Sequence, residues 1–285
     1  MLGETFGGDL VDREMRRYLE KIDGVPLARI PGPRPLRLMR DQAAPEGFWF
    51  PRLGIGQLMD AMADAIRDAG GTVHTGTRVR GIDAPGGRVA GVGLEGPGAP
   101  GEIATDRLVV SAAPGRAAVL LRPDAPEIPA LRMRAVCIVV LAVPGDPLTS
   151  EAWVQVDDPA VPAARIFEMG NWSPEMAPAG ETVIGFECYC HPSADDPVWG
   201  ASDAELAARC AASLAAPLGW LDDPSRARCV EVVRLPAAYP LPDLAQLEAA
   251  GAGARALAGV AGVVLAPGAA VIEAVEHGEA AVAAA

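Results

Sequence analysis

The first chemical candidate in the sequence is an acid and a phenol two positions apart, Glu187 and Tyr189. They lie in the run from Thr182 to Cys190, which predicts a β-strand, so both side chains share one face. A carboxylate beside a tyrosine hydroxyl can carry acid–base chemistry if the pair is buried. The alternative is that the two residues merely occupy a half-exposed sheet face. The sequence alone leaves both interpretations open.

The second candidate is a short cluster of possible metal ligands, Cys188, Cys190 and His191. In a strand the two cysteines face the same side with their α-carbons roughly 6.6 Å apart, so a direct disulfide would be strained. A zinc site needs further ligands. The remaining cysteines and histidines are isolated in the sequence: Cys137, Cys210, Cys229, His74 and His277. We therefore predict core cysteines and no metal site.

A third candidate is the glycine pair of Gly54-Ile55-Gly56, which stands at the start of a helical pattern. No apolar strand precedes it and no third glycine follows at the dinucleotide-binding spacing, so we interpret it as a turn that directs the helix. The sequence contains no Gly-x-Ser-x-Gly elbow, His-Glu-x-x-His helix or Walker A loop. The residues alone thus predict an acidic α/β protein with a cleft between two regions, and no particular reaction.

The elements that position these residues fall into two regions. In the first region, we predict helices at Asp9 to Ile22 and from Ile55 to Ala69, an extended connection from Ile30 to Pro45, then short strands and one further helix. The predicted strands are Thr72 to Thr75, Val79 to Ile82, Arg88 to Leu94 and Glu102 to Ala112, and the helix is Pro114 to Leu121. A Pro85-Gly86-Gly87 turn joins two of the strands.

The second region, from Glu127, predicts a mostly antiparallel sheet interrupted by one helix. Its predicted strands are Ala135 to Val143, Trp153 to Val156, Ala164 to Met169, Thr182 to Cys190 and Cys229 to Leu235. Ser202 and Glu205 form a capping-box pattern at the start of the intervening helix. The sequence closes with a strand at Gly262 to Leu265 and an alanine-rich helix at Ala270 to Ala284.

The charge and composition exclude several classes of partner. The net charge is −13 and Lys21 is the only lysine, so nucleic acid and anionic membranes are unsuitable partners. The uncharged run from Ala256 to Ile272 is interrupted by glycine and proline and is too short for a comfortable membrane span. No signal-peptide pattern is present, and five scattered cysteines do not form a disulfide framework. We expect a cytoplasmic protein with reduced thiols.

Several ordered segments resemble the flavin-dependent amine oxidase superfamily, especially its protoporphyrinogen-oxidase-like and UDP-galactopyranose-mutase-like members. The run from Phe48 to Leu58 is similar to the family segment Tyr-Pro-x-Gly-Gly-x-Gly-x-Leu, with Leu53 where the family often has glycine. The run from Gly71 to Ile82 resembles the strand whose valine contacts the adenine of FAD through its backbone. The resemblance therefore implies that Val79 contacts FAD.

Two later stretches extend the resemblance. Leu108 to Pro114 is similar to a strand end that passes near the cofactor, which implies FAD contacts at Ala112, Ala113 and Pro114. The stretch from Asn171 to Tyr189, with Trp199 to Leu206 and Tyr239 to Leu241, resembles the substrate side of protoporphyrinogen-oxidase-like proteins. The weak catalytic candidates on that side are Glu187 and Tyr189.

Two departures from the family bear on the cofactor. The family's N-terminal strand, Gly-x-Gly-x-x-Gly turn and helix grip the pyrophosphate of FAD, and the resemblance implies that this chain starts downstream of them. The family also carries a Gly-Asp or Gly-Arg turn before its last helix, whereas Val264 to Ala270 has neither Asp nor Arg. Without the missing strands, Val109 to Ser111 and Val263 to Leu265 would have uncovered edges. We expect a partner, a homodimer or a rebuilt sheet.

The resulting fold class is a mixed α/β (α+β) fold. An incomplete FAD-binding Rossmann-like domain is joined to a mostly antiparallel substrate-domain sheet with helices. The expected domains are residues 1–50 as an N-terminal helix and linker on the substrate side, 51–126 as the remnant of the FAD-binding domain, 127–250 as the substrate domain and 251–285 as the C-terminal strand and helix of the FAD-binding domain.

The expected function is that of an FAD-dependent oxidoreductase, or its truncated half, acting on an unidentified small molecule. The expected partner is a separate N-terminal flavoprotein half or a second copy of the chain. Two alternatives stay open: a cofactor-free isomerase or cyclase that reuses the cavity, and a non-catalytic remnant or interaction protein.

Overall fold

The computed structural model describes residues 15–30, 49–112, 114–121, 132–241 and 257–266, together with positions 8, 11, 248, 251, 252, 254 and 255. The chain divides into two compact units. The first combines Met1–Ala69 with Met133–Pro242, and the second combines Gly70–Arg132 with Asp243–Ala285. Within the described residues, no helix is long and apolar enough to cross a membrane.

The regular elements alternate between short helices and strands. In chain order the helices are α1 (Arg16–Asp23), α2 (Ile55–Asp68), α3 (Pro114–Leu121), α4 (Met169–Trp172) and α5 (Asp203–Ala215). The strands are β1 (Arg78–Asp83), β2 (Gly91–Glu95), β3 (Glu102–Ala104), β4 (Leu108–Val110), β5 (Met133–Pro144), β6 (Trp153–Gln155), β7 (Arg165–Glu168), β8 (Glu181–Cys190), β9 (Arg228–Pro240) and β10 (Val263–Leu265).

The first unit is organised by an antiparallel sheet with the strand order β6-β7-β8-β5-β9. Strand β5 is apolar almost throughout and occupies an inner position, where both of its faces are largely buried. Strand β8 alternates instead, so Ile184, Phe186 and Cys188 enter the core while the residues between them face the other side. Helix α5 packs on the core face through Leu206, Cys210 and Leu214.

Two sets of hydrogen bonds hold α5 in place. The predicted capping box is confirmed, because the Ser202 hydroxyl accepts from the Glu205 amide while the Glu205 carboxylate accepts from the Ser202 amide at 2.9 Å. Arg234 on β9 donates to the carbonyls of Trp199 and Ala201, each at 2.7 Å. The segment that leads into α5 is therefore tied to the edge of the sheet.

Helix α1 lies on the opposite side of the sheet and ends at a glycine. It buries Tyr18, Leu19 and Ile22 in a cluster that includes Ala164 and contacts Tyr189. Gly24 has a left-handed φ of 68°, and a β-carbon there would lie 2.5 Å from the guanidinium carbon of Arg134. The buried Arg134 donates to the Lys21 and Ile22 carbonyls, so a cation caps the negative end of the helix.

The second unit contains a three-stranded antiparallel meander, β1-β2-β3, and a parallel pair formed by β4 and β10. Helix α3 supplies Ala117 and Ala118 to a small core with Val110 and Leu257. The predicted strand from Glu102 to Ala112 is divided in two, because the Thr105 hydroxyl bridges to the backbone of Arg107 and turns the chain between β3 and β4. The second half consequently joins a different sheet.

Most of the element predictions are confirmed, but one strand is wrong. The predicted strand from Thr72 to Thr75 has no regular structure, since it lies between Gly70 and Gly76, whose φ angles of 83° and 63° turn the chain on both sides. The predicted helix from Ala270 and most of the predicted connection from Ile30 to Pro45 lie outside the described residues. The first half of the predicted helix, Asp9 to Met15, also lies outside the described residues, apart from positions 11 and 15.

A buried carboxylate organises the loop between β5 and β6. Glu168 is 3% exposed and accepts hydrogen bonds from the Leu148 and Thr149 amides at 2.8 and 2.9 Å. It also accepts from the Thr149 and Thr182 hydroxyls and from the Asn171 amide. Both carboxylate oxygens are thus saturated by donors, which compensates for burying the charge.

Glu168→Gln should lower the free energy of unfolding by about 3 kcal/mol, because the new amide group would face backbone donors and leave at least one unsatisfied. Urea denaturation measures this change. The control is Glu175→Gln, whose carboxylate is exposed and paired with Arg52 at 3.1 Å, and which should change stability by less than about 0.5 kcal/mol. Equal effects in the two variants would show that the Glu168 network does not stabilise the fold.

The single lysine of the chain fastens α1 to the loop after β6. Lys21 donates to the carbonyls of Val156 and Asp158 at 3.2 and 2.9 Å. Burial lowers the pKa of this amine from 10.5 to about 8, although neighbouring acidic groups oppose the shift. The folded protein therefore binds the Lys21 proton more weakly than the unfolded chain does.

Stability should consequently rise as the pH increases from about 8 towards 10, since the unfolded state holds more protons in that window. Solvent screening limits the expected gain to roughly 1 kcal/mol. Urea denaturation at pH 7.5 and 9.5 tests this, and Lys21→Met should remove the increase. Reductive methylation with ¹³C-formaldehyde would report the pKa directly by NMR, because the chain has one lysine besides its N-terminus. An unshifted titration would contradict the prediction.

Candidate functional site

The candidate site lies on the face of the five-stranded sheet opposite α5. Glu187 and Tyr189 project from β8 to this face, because the residues between and beside them enter the core. Arg165 is the direct partner of Glu187 on β7, and Tyr239 on β9 stacks against Tyr189 with ring centroids 5.7 Å apart. Neighbouring strands thus bring four polar or aromatic side chains into one cluster.

Arg165, Glu187 and Tyr189 form a closed hydrogen-bonded triad. The guanidinium donates to Glu187 Oε2 through Nε at 2.9 Å and through Nη2 at 2.6 Å. Nη2 also donates to the Tyr189 hydroxyl at 2.8 Å, and that hydroxyl donates to Glu187 Oε2 at 2.9 Å. The Arg165 and Glu187 side chains are 26% and 18% exposed, so this ion pair is partly shielded from water. The three groups hold one another in a fixed geometry.

Aromatic rings border the triad. The Arg165 guanidinium lies 5.7 Å from the centroid of the Trp153 ring on β6. Phe167, two residues along β7, lies over Gly185, where an added β-carbon would be 2.0 Å from the ring. Gly185 is therefore required at this point of the sheet, because any side chain would displace the ring. The face combines flat apolar surfaces with one fixed polar group.

The electrostatics assign separate roles to the three groups. Burial and the nearby Glu187 carboxylate raise the pKa of Tyr189, so the phenol remains protonated and acts as a donor. Burial opposes the charge on Arg165, but Tyr189 and Glu187 outweigh it and raise the pKa of the guanidinium. All three hydrogen bonds to Glu187 end on Oε2. Within the described part of the chain, Oε1 has no hydrogen bond and can accept one from a ligand.

The prediction of core cysteines is confirmed for four of the five positions and is wrong for Cys229, which is exposed at the edge strand β9. Cys137, Cys188, Cys190 and Cys210 are buried free thiols, with the Cys137–Cys190 and Cys188–Cys210 sulfurs each 3.9 Å apart. The contact with Cys210 and burial raise the pKa of Cys188, which keeps it a thiol. His191 follows Cys190 in the sequence, and its backbone amide donates a hydrogen bond to the Asp196 carboxylate at 2.8 Å. The described residues contain no group of three or more side chains suited to a metal ion.

The predicted cofactor residues belong to the second unit. Val79 is half-buried in β1, the edge strand of the meander, at a bulge where its pairing with β2 shifts before Gly81. Ala112 is exposed just after β4, and Pro114 begins α3. Ala113 lies outside the described residues. Glu187 and Tyr189, by contrast, belong to the first unit.

Two glycine patterns that sequence reasoning overlooked match Gly-x-Gly-x-x-Gly, at Gly91 to Gly96 and at Gly96 to Gly101. The first lies along β2 and the second forms the loop between β2 and β3. A phosphate-binding fingerprint instead joins a strand to the start of a helix, whose free amides meet the anion. Neither pattern can therefore supply that grip. Gly54, with φ of 85°, directs the start of α2 as predicted.

Sequence reasoning also missed Arg165, Trp153 and Phe167 as members of the site, whereas Tyr239 lay in a stretch that the resemblance assigned to the substrate side. Each belongs to a strand that was predicted, apart from Tyr239, whose strand extends five residues beyond its predicted end at Leu235. The alternation of Arg165 and Phe167 along β7 places them on one face, but only strand register shows which residues of other strands they meet. The available signal was Arg165 itself, a cation in a short predicted strand of mostly apolar residues.

An alkaline titration tests the state of Tyr189. We expect Tyr189 to remain protonated at about pH 11, above the ordinary tyrosine pKa. Ultraviolet difference absorbance follows phenol ionisation, and Tyr189→Phe should remove the latest step. Tyr239→Phe is the matched control, which should retain that step. Ionisation of every tyrosine in one transition near pH 10 would contradict the burial of this phenol.

Comparison with known proteins places these observations in a family. The sequence matches the family described as flavin containing amine oxidoreductase over residues 3–285. No curated protein sequence matches significantly. Among solved structures, a reduced UDP-galactopyranose mutase superposes with a TM-score of 0.68 at 17% identity, covering 92% of this chain and 60% of that one.

Two further structures cover nearly all of this chain. A protein assigned as a protoporphyrinogen oxidase from an Exiguobacterium species gives a TM-score of 0.66 at 17% identity, covering 99% of this chain and 67% of that one. An oxidoreductase from Methanosarcina mazei gives 0.64 at 15% identity, covering 100% and 67%. These likenesses confirm the predicted fold class of mixed helices and sheets. The chain spans about three fifths of the length of the mutase. By its match along almost the entire sequence, the chain belongs to the flavin-containing amine oxidoreductase family.

Proposed function

We propose that this chain forms the substrate side of an FAD-dependent oxidoreductase, with FAD held jointly with another polypeptide. The observation that carries the proposal is the Arg165–Glu187–Tyr189 triad on a half-buried, aromatic-lined sheet face, in a chain of a flavin-linked family. A partly shielded carboxylate fixed by a cation is a common arrangement at functional sites.

The roles of the triad follow from its geometry. Glu187 Oε1 accepts a hydrogen bond from a hydroxyl or amine of the substrate, while Arg165 fixes the orientation of the carboxylate. The protonated Tyr189 hydroxyl donates within the triad and shields Glu187 from water. The rings of Trp153 and Phe167 offer flat apolar surfaces to the body of the substrate. The family name alone does not choose the substrate among amines, porphyrinogens, polyenes and sugar nucleotides.

The second unit, which carries the predicted cofactor residues, has part of what FAD binding requires. The edge position of β1 and the bulge at Val79 leave backbone groups of this strand outside the meander ladder, as backbone recognition of an adenine requires. When bound, FAD would supply the acceptor for the two electrons that leave the substrate. The described residues offer no glycine-rich strand–turn–helix cradle for its pyrophosphate, because the glycine patterns lie in the meander. That grip would come from structure outside the described residues.

A cofactor-free isomerase or cyclase is the second candidate. One observation favours it: Tyr189 donates directly to Glu187, so the pair contains the donor and the acceptor that a proton transfer within a substrate requires. In that function, Glu187 would remove a substrate proton and return it to another atom. The two candidates make opposite predictions about colour, because a flavin complex is yellow and a cofactor-free enzyme is colourless.

Purification from the native cells without denaturant distinguishes the candidates. We expect a yellow complex with flavin absorbance, whose flavin is reduced by a compound of one of the four substrate classes. Glu187→Gln should slow this reduction by about 100-fold while the flavin content stays the same. Glu181→Gln is the matched control, since Glu181 lies on the same face of β8 outside the triad and pairs with Arg228.

Three results would overturn the proposal. Colourless protein that gains no flavin spectrum with added FAD, yet turns over a substrate and loses activity with Glu187→Gln, would establish the cofactor-free enzyme. Colourless protein without turnover would favour a non-catalytic chain. A yellow complex whose flavin is reduced equally fast in wild type and Glu187→Gln would remove the triad from the mechanism.

A further inference from the structure

The four buried cysteines of the first unit form two pairs whose sulfur atoms are in contact. The Sγ atoms of Cys137 and Cys190 are 3.9 Å apart, and so are those of Cys188 and Cys210. A disulfide bond is about 2.05 Å long, so both pairs are free thiols. The pairs are also equal in burial, since each of the four side chains is at most 1% exposed. They differ in the charges around them and in their places in the fold.

A guanidinium lies against one pair and not against the other. Arg234 donates to Cys137 Sγ through Nη1 at 3.7 Å, while two backbone carbonyls and a carboxylate hold the guanidinium in place. The hydrogen bond with Cys190 and the charge of Arg234 lower the pKa of Cys137, although burial opposes them. The contact with Cys210 and burial instead raise the pKa of Cys188. Only the first pair is therefore prepared to form a thiolate.

A second cation lies near the other sulfur of that pair. Arg134 on β5 is 6% exposed, and its Nη1 has no hydrogen-bond partner within the described part of the chain. Burial lowers the pKa of this guanidinium, and the acidic groups that oppose the shift are led by Cys190, followed by Asp196, Asp23 and Tyr189. A buried cation with an unused donor favours a thiolate beside it. Each sulfur of the pair thus has a guanidinium in its surroundings.

The two pairs also differ in how they are held. Cys190 is the last residue of β8, at the end of the ladder with β5. Arg234, which contacts Cys137, has a side chain that is 25% exposed, so this side chain connects the buried sulfur to the surface. Cys188 lies inside β8 and Cys210 inside α5, where backbone hydrogen bonds hold the chain on both sides. The first pair has both a route to the surface and a strand end that can shift.

We infer that Cys137 and Cys190 are a redox-active dithiol, which a small peroxide oxidises to a disulfide. Cys137 Sγ attacks one oxygen of hydrogen peroxide; the S–O bond forms, the O–O bond breaks, and the leaving hydroxide takes up the proton that Cys137 gave up. Cys190 Sγ then attacks Cys137 Sγ, the S–S bond forms as the S–O bond breaks, and water leaves with the Cys190 proton. The two thiols lose two electrons, and the peroxide is reduced to two molecules of water. This reaction goes beyond the proposed function and requires no flavin.

Peptide mapping of the purified full chain tests the inference. The reduced protein is treated with hydrogen peroxide, its remaining thiols are blocked with N-ethylmaleimide in denaturant, and it is digested with trypsin. Each cysteine pair spans two tryptic peptides, which are 135–165 with Cys137, 166–209 with Cys188 and Cys190, and 210–226 with Cys210. We expect a disulfide-linked product of the first two peptides and none of the last two. Fragmentation of the wild-type product assigns the bond to Cys190 without the use of a variant.

Matched cysteine variants test the order of the two steps. Cys190→Ala should abolish the linked product and leave a sulfenic acid on Cys137, which dimedone traps. Cys188→Ala removes the neighbouring thiol on the same strand and should leave the linked product unchanged. Circular dichroism confirms that each variant is folded.

Arginine variants test the role of the cation. Arg234→Gln should slow disulfide formation about tenfold, because the thiolate fraction of Cys137 falls, and Arg234→Lys should restore part of the rate. Arg228→Gln is the control, since Arg228 lies on the same strand and pairs with Glu181 away from the thiols. It should leave the rate unchanged.

Four results would overturn the inference. A linked product of 166–209 and 210–226 would show that the other pair reacts, and oxidation confined to the exposed Cys229 would show that burial protects the core thiols. Wild-type protein that keeps all its thiols in peroxide would show that the pair is inert. Equal rates in wild type and Arg234→Gln would show that the cation does not activate Cys137. Each of these results leaves the proposed function standing, because flavin reduction is measured separately and depends on Glu187.

Discussion

The ladder between β5 and β8 determines which side chains of the first unit face the core and which face the candidate site. It pairs Ala135 with Cys190 at one end and Pro144 with Glu181 at the other, without a bulge. Because side chains alternate along a strand, a slip by one residue would send Glu187 and Tyr189 into the core and expose Phe186 and Cys188. The burial of these two apolar residues against α5 therefore fixes the position of the polar pair.

The flanking strands add the rest of the site through their own registers. Strand β7 pairs Arg165 with Glu187 and Phe167 with Gly185, so the cation reaches the acid and the ring covers the glycine. Strand β9 pairs with β5 across two irregularities, and beyond the first of them Tyr239 lies opposite Arg134 and reaches Tyr189. The cluster of the triad with Tyr239 is thus a consequence of three adjacent registers.

Much of the fold could be predicted from hydrophobic periodicity, and much of the site could not. Alternation and apolar runs predicted β5, β7 and β8 to within about two residues, and the Ser202–Glu205 pattern predicted the start of α5. Glu187 and Tyr189 were found because two residues on one strand share a face. Arg165 was not, because it lies 22 residues away and periodicity within a strand contains no information on register. The false strand at Thr72 shows the same limit, since glycine conformations on either side decided the outcome.

The two units differ in how completely their own residues cover their apolar strands and satisfy their polar groups. In the first unit, the sheet has a core of its own against α5, and the triad is already closed by internal hydrogen bonds. In the second unit, the parallel pair of β4 and β10 has no further strand among the described residues, and Val109 is 55% exposed. Parallel sheets are ordinarily covered on both faces and contain more strands. The first unit is consequently preorganised by its own residues, whereas the parallel pair of the second unit leaves apolar surface that further structure would have to cover.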